Sequence, residues 1–177
     1  KHRGRHLAKP QIALDQEPAA PDQHDERKDD HEPRDQDVEA ATDAARRHVA
    51  IIPEIDMPGH MGAAIKSYPE LKHPKEERDP AKVIRGDAMG RDFAKKVLTE
   101  INILFDPKYI HIGFDEVNLK SPMELYSKAE LIDFASEITT FIKESLKKKP
   151  IVWDDAFTNG FEDKDTVVHW WRYGKKY

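Results

Sequence analysis

The run Tyr109-Ile110-His111-Ile112-Gly113-Phe114-Asp115-Glu116 constrains this chain more than any other stretch. It reads as a short buried strand that stops abruptly at two adjacent carboxylates. A strand covered on both faces has no reason to finish in charge, because burying an unpaired carboxylate is costly. Strand ends that open into a cleft are where parallel α/β folds place their chemistry. Asp115 and Glu116 therefore read as working groups. A lone Asp-Glu pair would as readily cap a helix or sit in solvent, so the neighbouring segments decide.

Those segments repeat the pattern. Val49-Ala50-Ile51-Ile52-Pro53 is a continuous apolar run that reads as a strand buried on both faces. It ends in Glu54-Ile55-Asp56-Met57-Pro58-Gly59-His60, where Pro58-Gly59 predicts a turn that puts His60 on a loop beyond the strand. Pro150-Ile151-Val152-Trp153 is a third strand, ending in Asp154-Asp155, and Thr166-Val167-Val168-His169-Trp170-Trp171 is a fourth. Helical periodicity lies between them. Val38, Ala41 and Ala45 are spaced for one helix, with Asp35 or Asp37 to cap it. Asp87 can cap a second, whose Met89, Phe93, Val97, Ile101 and Leu104 recur every three or four residues before Pro107. Ser121-Pro122-Met123-Glu124 has the form of a capping box and opens a third, carrying Leu125, Ile132, Ala135, Ile138, Ile142 and Leu146. Residues 61–86 read as a charged loop with one short helix.

Strands alternating with helices indicate a parallel βα array. No Gly-rich phosphate loop follows any strand, which favours a (β/α)8 TIM barrel over a dinucleotide-binding sheet. A full barrel takes about 250 residues. The four strands between residues 49 and 171 are thus expected to be the central half of one, with both ends missing.

Residues 1–35 differ from the rest. Leu7, Ile12 and Leu14 are their only large aliphatics, and no Phe, Trp or Tyr occurs before Tyr68. Such a segment cannot bury enough apolar surface to offset its ordering entropy, so it reads as disordered or as unrelated sequence joined on. Residues 36–177 form the second division, the partial barrel. The net charge of -5, with both signs interspersed, leaves no nucleic-acid footprint. No apolar run approaches bilayer length. Lys1-His2-Arg3-Gly4-Arg5 is basic, but no apolar stretch follows it as in a signal peptide. The absence of cysteine removes disulfides and thiolate metal sites, and leaves the compartment unspecified.

Assembled, the strand ends offer His60, Asp115, Glu116, Trp153, Trp170 and Trp171 on one face of a barrel. Indole rings beside carboxylates suit a sugar, whose C–H faces stack on aromatics while an acid handles the glycosidic oxygen. A single buried Trp is ordinarily core; three at strand ends near two acids are less readily explained so. Trp170 is expected to face the core, because successive strand residues point opposite ways.

Ile52-Pro53-Glu54-Ile55-Asp56-Met57-Pro58-Gly59-His60 and His111-Ile112-Gly113-Phe114-Asp115-Glu116 resemble the two main motifs of glycoside hydrolase family 20, the β-N-acetylhexosaminidases. Ile151-Val152-Trp153-Asp154-Asp155 and Val167-Val168-His169-Trp170-Trp171 resemble that family's next two barrel strands, in order. The similarity covers about residues 37–173, and its spacing is most like the short, single-domain bacterial members, including the dispersins. The resemblance implies a retaining glycosidase without an enzymatic nucleophile. Glu116 would be the general acid and then the general base. Asp115 would hold the substrate's 2-acetamido N–H while the acetamido oxygen attacks the anomeric carbon, giving an oxazolinium. His60 would support Glu116 through a relay, and Trp153, Trp171 and Asp154 would bind the terminal sugar. No cofactor or metal is implied. The partner is a glycan ending in β-linked N-acetylhexosamine, and placement outside the cell or at its surface is suggested by the family alone.

Two departures accompany the likeness. Phe114 stands where the family commonly has a small residue, which would crowd the strand end. Nothing in residues 1–35 matches the first two strands, from which a substrate-binding Arg and an Asp partner for His60 would come. The alternative is an inactive remnant or a carbohydrate-binding fragment. A weaker third reading is a metal-dependent barrel hydrolase using His60, His111, Asp115 and Glu116. Limited proteolysis should cut first within residues 1–35, and their deletion should leave the far-ultraviolet circular dichroism of the remainder unchanged; protection of that segment would contradict the reading.

Overall fold

The computed structural model describes residues 35–77, 80–117 and 124–171. The expectation for residues 1–34, and the capping box proposed at Ser121–Met123, lie outside them. Helices α1 (Asp35–Arg46), α2 (Gly62–Ser67) and α3 (Ala88–Phe105) precede strand β1 (Tyr109–His111). Helix α4 (Lys128–Glu144), strand β2 (Lys149–Trp153), helix α5 (Asp154–Thr158) and strand β3 (Val167–His169) follow. The strands pair in parallel in the order β1-β2-β3. Each return therefore crosses over through a helix, as parallel pairing requires.

Residues 53–57 extend the sheet beyond β1. The amides of Ile55 and Met57 donate to the carbonyls of His111 and Ile112 at 2.9 and 3.0 Å, and His111 donates to Pro53 at 2.9 Å. Four extended segments thus run parallel. The expectation that residues 49–53 form a strand buried on both faces is corrected: the bridge falls at Glu54, while Val49 and Ile52 are 57% and 48% exposed. No described segment pairs with the far side of this run, so its outward residues have nothing to pack against. The opposite edge behaves alike. All of β3 is exposed, and Trp170, expected in the core, is 46% exposed.

The two faces of the sheet differ in chemistry. Ile110, Ile112 and Val152 are fully buried in the helix layer together with Leu98, Phe134 and Ile138. On the other face His111, Trp153 and His169 cluster: Trp153 and His169 stack with centroids 4.2 Å apart and 23° from parallel, and His111 meets both at a steep angle. The period-two alternation seen at Ile110-His111-Ile112 separates these layers.

Helix α3 begins after Asp87 and closes before Pro107, as the sequence implies, and Asp106 is its left-handed C-cap. Its buried line is Gly90, Ala94 and Leu98, one position on from the expected stripe, and Met89 is 47% exposed. Small residues line the contact because Gly90 comes close to the Arg85 carbonyl, where a Cβ would meet the oxygen at 1.9 Å. Helix α4 starts six residues later than the capping box predicted at Ser121. Ser127 and Glu130 make the reciprocal cap instead, with the Ser127 amide donating to Glu130 Oε2 at 2.8 Å and the Glu130 amide donating to Ser127 Oγ. Either tetrad fits the motif; the one adjoining the apolar period of α4 caps it. Ser127→Ala should cost about 1 kcal/mol of stability, measured by urea denaturation, and an unchanged midpoint would show that this cap is idle.

Candidate functional site

Beyond β1 the chain leaves the ladder at once. Gly113, Phe114 and Glu116 all have positive φ, at 66°, 79° and 51°. This left-handed run turns the backbone sharply, and Gly113 is there for space as well as conformation. A Cβ on it would lie 1.8 Å from Asp56 Oδ1. The 53–60 loop lies against the turn. Its Asp56 accepts the Phe114 amide through Oδ1 at 3.0 Å and is hydrogen-bonded through Oδ2 to His60 Nδ1.

His60, itself at φ 52°, stands among three carboxylates. Besides its bond to Asp56, Nδ1 lies 3.6 Å from Asp115 Oδ1, and Nε2 lies 3.4 Å from Glu116 Oε2. Burial pushes Asp56 up from 3.8 to about 7, opposed by the His60 hydrogen bond and reinforced by the facing Asp115 carboxyl. The Asp56 hydrogen bond in turn raises His60 above 6.5, against its own desolvation and with help from the negative charges nearby. Both shifts favour the protonated form, of Asp56 through burial and of His60 through its bond to Asp56. The two sequence-adjacent acids differ in setting: the Asp115 side chain is 18% exposed and that of Glu116 61%. Among the described residues, Asp115 Oδ1 is buried without a hydrogen-bond partner.

The structure brings His60, Asp115 and Glu116 together as expected. It also adds Asp56, which the sequence reading passed over while seeking a partner for His60 in residues 1–35. The signal was local: Asp56 lies four residues before His60 across the Pro58-Gly59 turn. Asp56, His60 and Asp115 each offer one ligand atom within 4.8 Å of the others, a donor set that could hold a cation. The metal-hydrolase reading needed His111 in that set. Instead His111 lies on the inner face against Trp153 and His169. Its Nδ1 accepts the Gly113 amide at 2.9 Å, which leaves the ring proton on Nε2, and burial lowers its pKa.

The remaining predicted residues are distributed around this centre. The Trp153 indole donates to Glu54 Oε1 at 2.8 Å, so that ring is braced across the sheet. Asp154 is fully buried, and its Oδ1 accepts the Trp171 amide at 3.2 Å. The Trp171 indole donates to Asp155 Oδ2 at 2.8 Å and remains 39% exposed. Asp155 Oδ1 approaches the Glu116 amide at 3.5 Å, linking the turn to the last tryptophan. Phe114, expected to crowd the strand end, is 1% exposed and stacks on Phe134 in the helix layer, away from the carboxylates. A cavity of about 410 Å³ lined by His73, Arg85 and Tyr126 involves none of these groups.

A family model described as the catalytic domain of glycosyl hydrolase family 20 matches residues 20–177. A β-hexosaminidase of Vibrio furnissii is 31% identical over 151 residues, 72% of this chain and 24% of that protein. A lacto-N-biosidase of Bifidobacterium bifidum is 29% identical over 147 residues, 71% of this chain and 13% of that protein. The crystal structure of a β-N-acetylhexosaminidase from Bacteroides fragilis superposes with a TM-score of 0.67 at 29% identity, covering 78% of this chain and 30% of that one. The chain spans less than a third of the length of each of these proteins. Its arc of parallel strands is part of a (β/α)8 barrel, in line with the sequence reading.

Asp56 gives the site a pH signature. A carboxyl whose folded pKa is raised contributes stability that is complete below its unfolded value of 3.8 and lost as pH rises through about 7. His60, raised above 6.5, extends that loss upward. Asp56→Asn should therefore flatten the decline in melting temperature across this window and leave the variant the more stable by a few degrees at pH 8. A parallel decline in both proteins would refute the assignment.

Proposed function

Because the chain belongs to glycosyl hydrolase family 20, we propose that it carries the acid–base centre of an enzyme removing terminal β-linked N-acetylhexosamine from glycans. The observation that carries the reading is the placement of His60 between Asp56, Asp115 and Glu116. In this reading Glu116, open to solvent and to an approaching leaving group, donates a proton to the glycosidic oxygen and later takes one from water. His60 faces Glu116 through Nε2 and is charged or neutral according to the proton it shares with Asp56. That adjusts the field felt by the acid.

Asp115 is the more sheltered carboxylate. It holds the acetamido N–H and stabilises the positive oxazolinium formed when the substrate's own carbonyl oxygen attacks the anomeric carbon. The substrate supplies the nucleophile, so the distance rule for paired glycosidase carboxylates does not govern here. Trp153 and Trp171 wall the sugar, Trp171 held by Asp155 and by the buried Asp154. The division of the chain near residue 35 belongs to the same proposal, as does a glycan as partner. A second reading, sugar binding without turnover, draws on the open edge at β3, where Trp170 and Trp171 stay exposed. Binding of N-acetylglucosamine without hydrolysis of any activated substrate, by a protein with a closed barrel, would favour it.

In such a protein Glu116→Gln should reduce hydrolysis by about a hundredfold or more for poor leaving groups, within the 10²–10⁴ that general acids contribute. The loss should shrink as leaving-group pKa falls. Asp115→Asn should keep its penalty throughout, because the oxazolinium forms whatever departs. The measurement is kcat/KM across a series of aryl glycosides. Equal losses for both variants at every leaving group would refute the division of labour, and an inverted azide product from Asp115→Asn would implicate an enzymatic nucleophile.

A further inference from the structure

The turn that presents the two carboxylates contains a residue poorly suited to its own backbone. Phe114 has φ 79°, a region that L side chains rarely adopt and that glycine occupies freely. Such a conformation persists only where the surroundings over-determine it. Here they do so from two sides. The Phe114 amide donates to Asp56 Oδ1 at 3.0 Å, and its ring stacks on Phe134 of α4 with centroids 6.4 Å apart and planes 27° from parallel.

Phe134 is itself clamped. Tyr126 meets it edge-on at 6.3 Å and anchors its hydroxyl on the Ile84 carbonyl at 2.7 Å. The Arg91 guanidinium lies 5.7 Å from the Phe134 centroid, and Arg91 is held by Asp133 and Glu137 from the same helix α4. The peptide leading into Asp115 is thereby fixed between an aromatic column on one side and the partly buried Asp56 carboxylate on the other. A glycine at this position would keep the amide bond and lose the ring.

We propose that Phe114 is a positioning residue: its ring, locked to Phe134, holds the Gly113–Glu116 turn in the left-handed path that directs Asp115 toward His60 and leaves Glu116 open. Its value for catalysis rests on the reading of Asp115 and Glu116 given above; the mechanical claim does not. Phe114 touches no reacting atom. It acts through the backbone of the two acids that follow it.

The test is made on the chain without ligand, so its outcome is separate from the fate of the glycosidase reading. Backbone ¹⁵N relaxation and amide hydrogen exchange would be measured for Phe114→Gly, Phe114→Leu and Phe134→Leu. Phe114→Gly should lower the order parameters of residues 114–116 from the rigid range near 0.85 to below about 0.6. It should also speed exchange of the residue-114 amide at least tenfold, while amides in α4 and β2 keep their protection. Phe114→Leu, which keeps an apolar side chain but not the ring contact, should loosen the turn less than Phe114→Gly does. Phe134→Leu should loosen the same turn from the far end of the contact. It decides the matter if Phe114→Gly does not fold. A turn that stays ordered in either Phe114→Gly or Phe134→Leu overturns the proposal. So does a uniform loss of protection across the chain, which is what a purely structural ring would give.

Discussion

Everything at the candidate site depends on one partly buried carboxylate. Asp56 accepts the Phe114 amide and binds His60, so a single side chain joins the loop after the first extended segment to the turn after β1. Without it the turn would lose an amide partner, and His60 would have no fixed orientation toward Glu116. The cost is visible in its pKa, which burial and Asp115 drive up to about 7. A group placed there for geometry alone would be better as an asparagine. Retaining a carboxyl gives a proton that can be shared with an imidazole, and that is useful only where proton position matters.

The rest of the molecule supports this arrangement unevenly. Under β1 and β2 the helix layer is closed, with Ile110, Ile112, Val152, Phe134 and Ile138 fully buried. The turn carrying Asp115 and Glu116 stands on that closed part. At the two edges of the sheet the apolar residues remain open: Val49 and Ile52 on one side, Val167, Val168 and Trp170 on the other. Parallel strands gain stability from cover on both faces and from neighbours on both sides. The cluster of His60, Asp115 and Glu116 thus rests on the best-packed strands, while Trp171 stands at the less protected margin.

How far this could be read from sequence varied with the kind of signal. Period-two alternation ending in acid located β1, an apolar run ending in Asp154-Asp155 located β2, and the run into Trp170-Trp171 located β3, although that last strand is exposed rather than buried. Helix α3 was legible down to its ends, through Asp87 and Pro107. The start of α4 was not, since two Ser-x-x-Glu tetrads occur in succession and only packing distinguishes them. Exposure at Val49, Ile52 and Trp170 could not be read from hydrophobicity, which reports what a segment suits rather than what lies beside it. At the site the motifs named His60, Asp115 and Glu116. Asp56 was overlooked because the partner of His60 was sought in residues 1–35, although the Pro58-Gly59 turn that folds Asp56 back onto His60 is legible.

The differing exposure of two neighbouring acids follows from the same left-handed turn. On a continuing strand Asp115 and Glu116 would point to opposite faces, and one of them would enter the helix layer uncompensated. Positive φ at Gly113, Phe114 and Glu116 takes the backbone out of the pleat before the acids arrive. Both side chains then stay on the site's side, one sheltered beside His60 and the other reaching solvent. Phe114 takes the inward position instead, and an apolar ring is what that layer can accept. The order apolar, then acid, then acid is thus a solution to a packing problem as well as a chemical one. It explains why an aromatic residue can replace a small one before the carboxylates without entering the space they use.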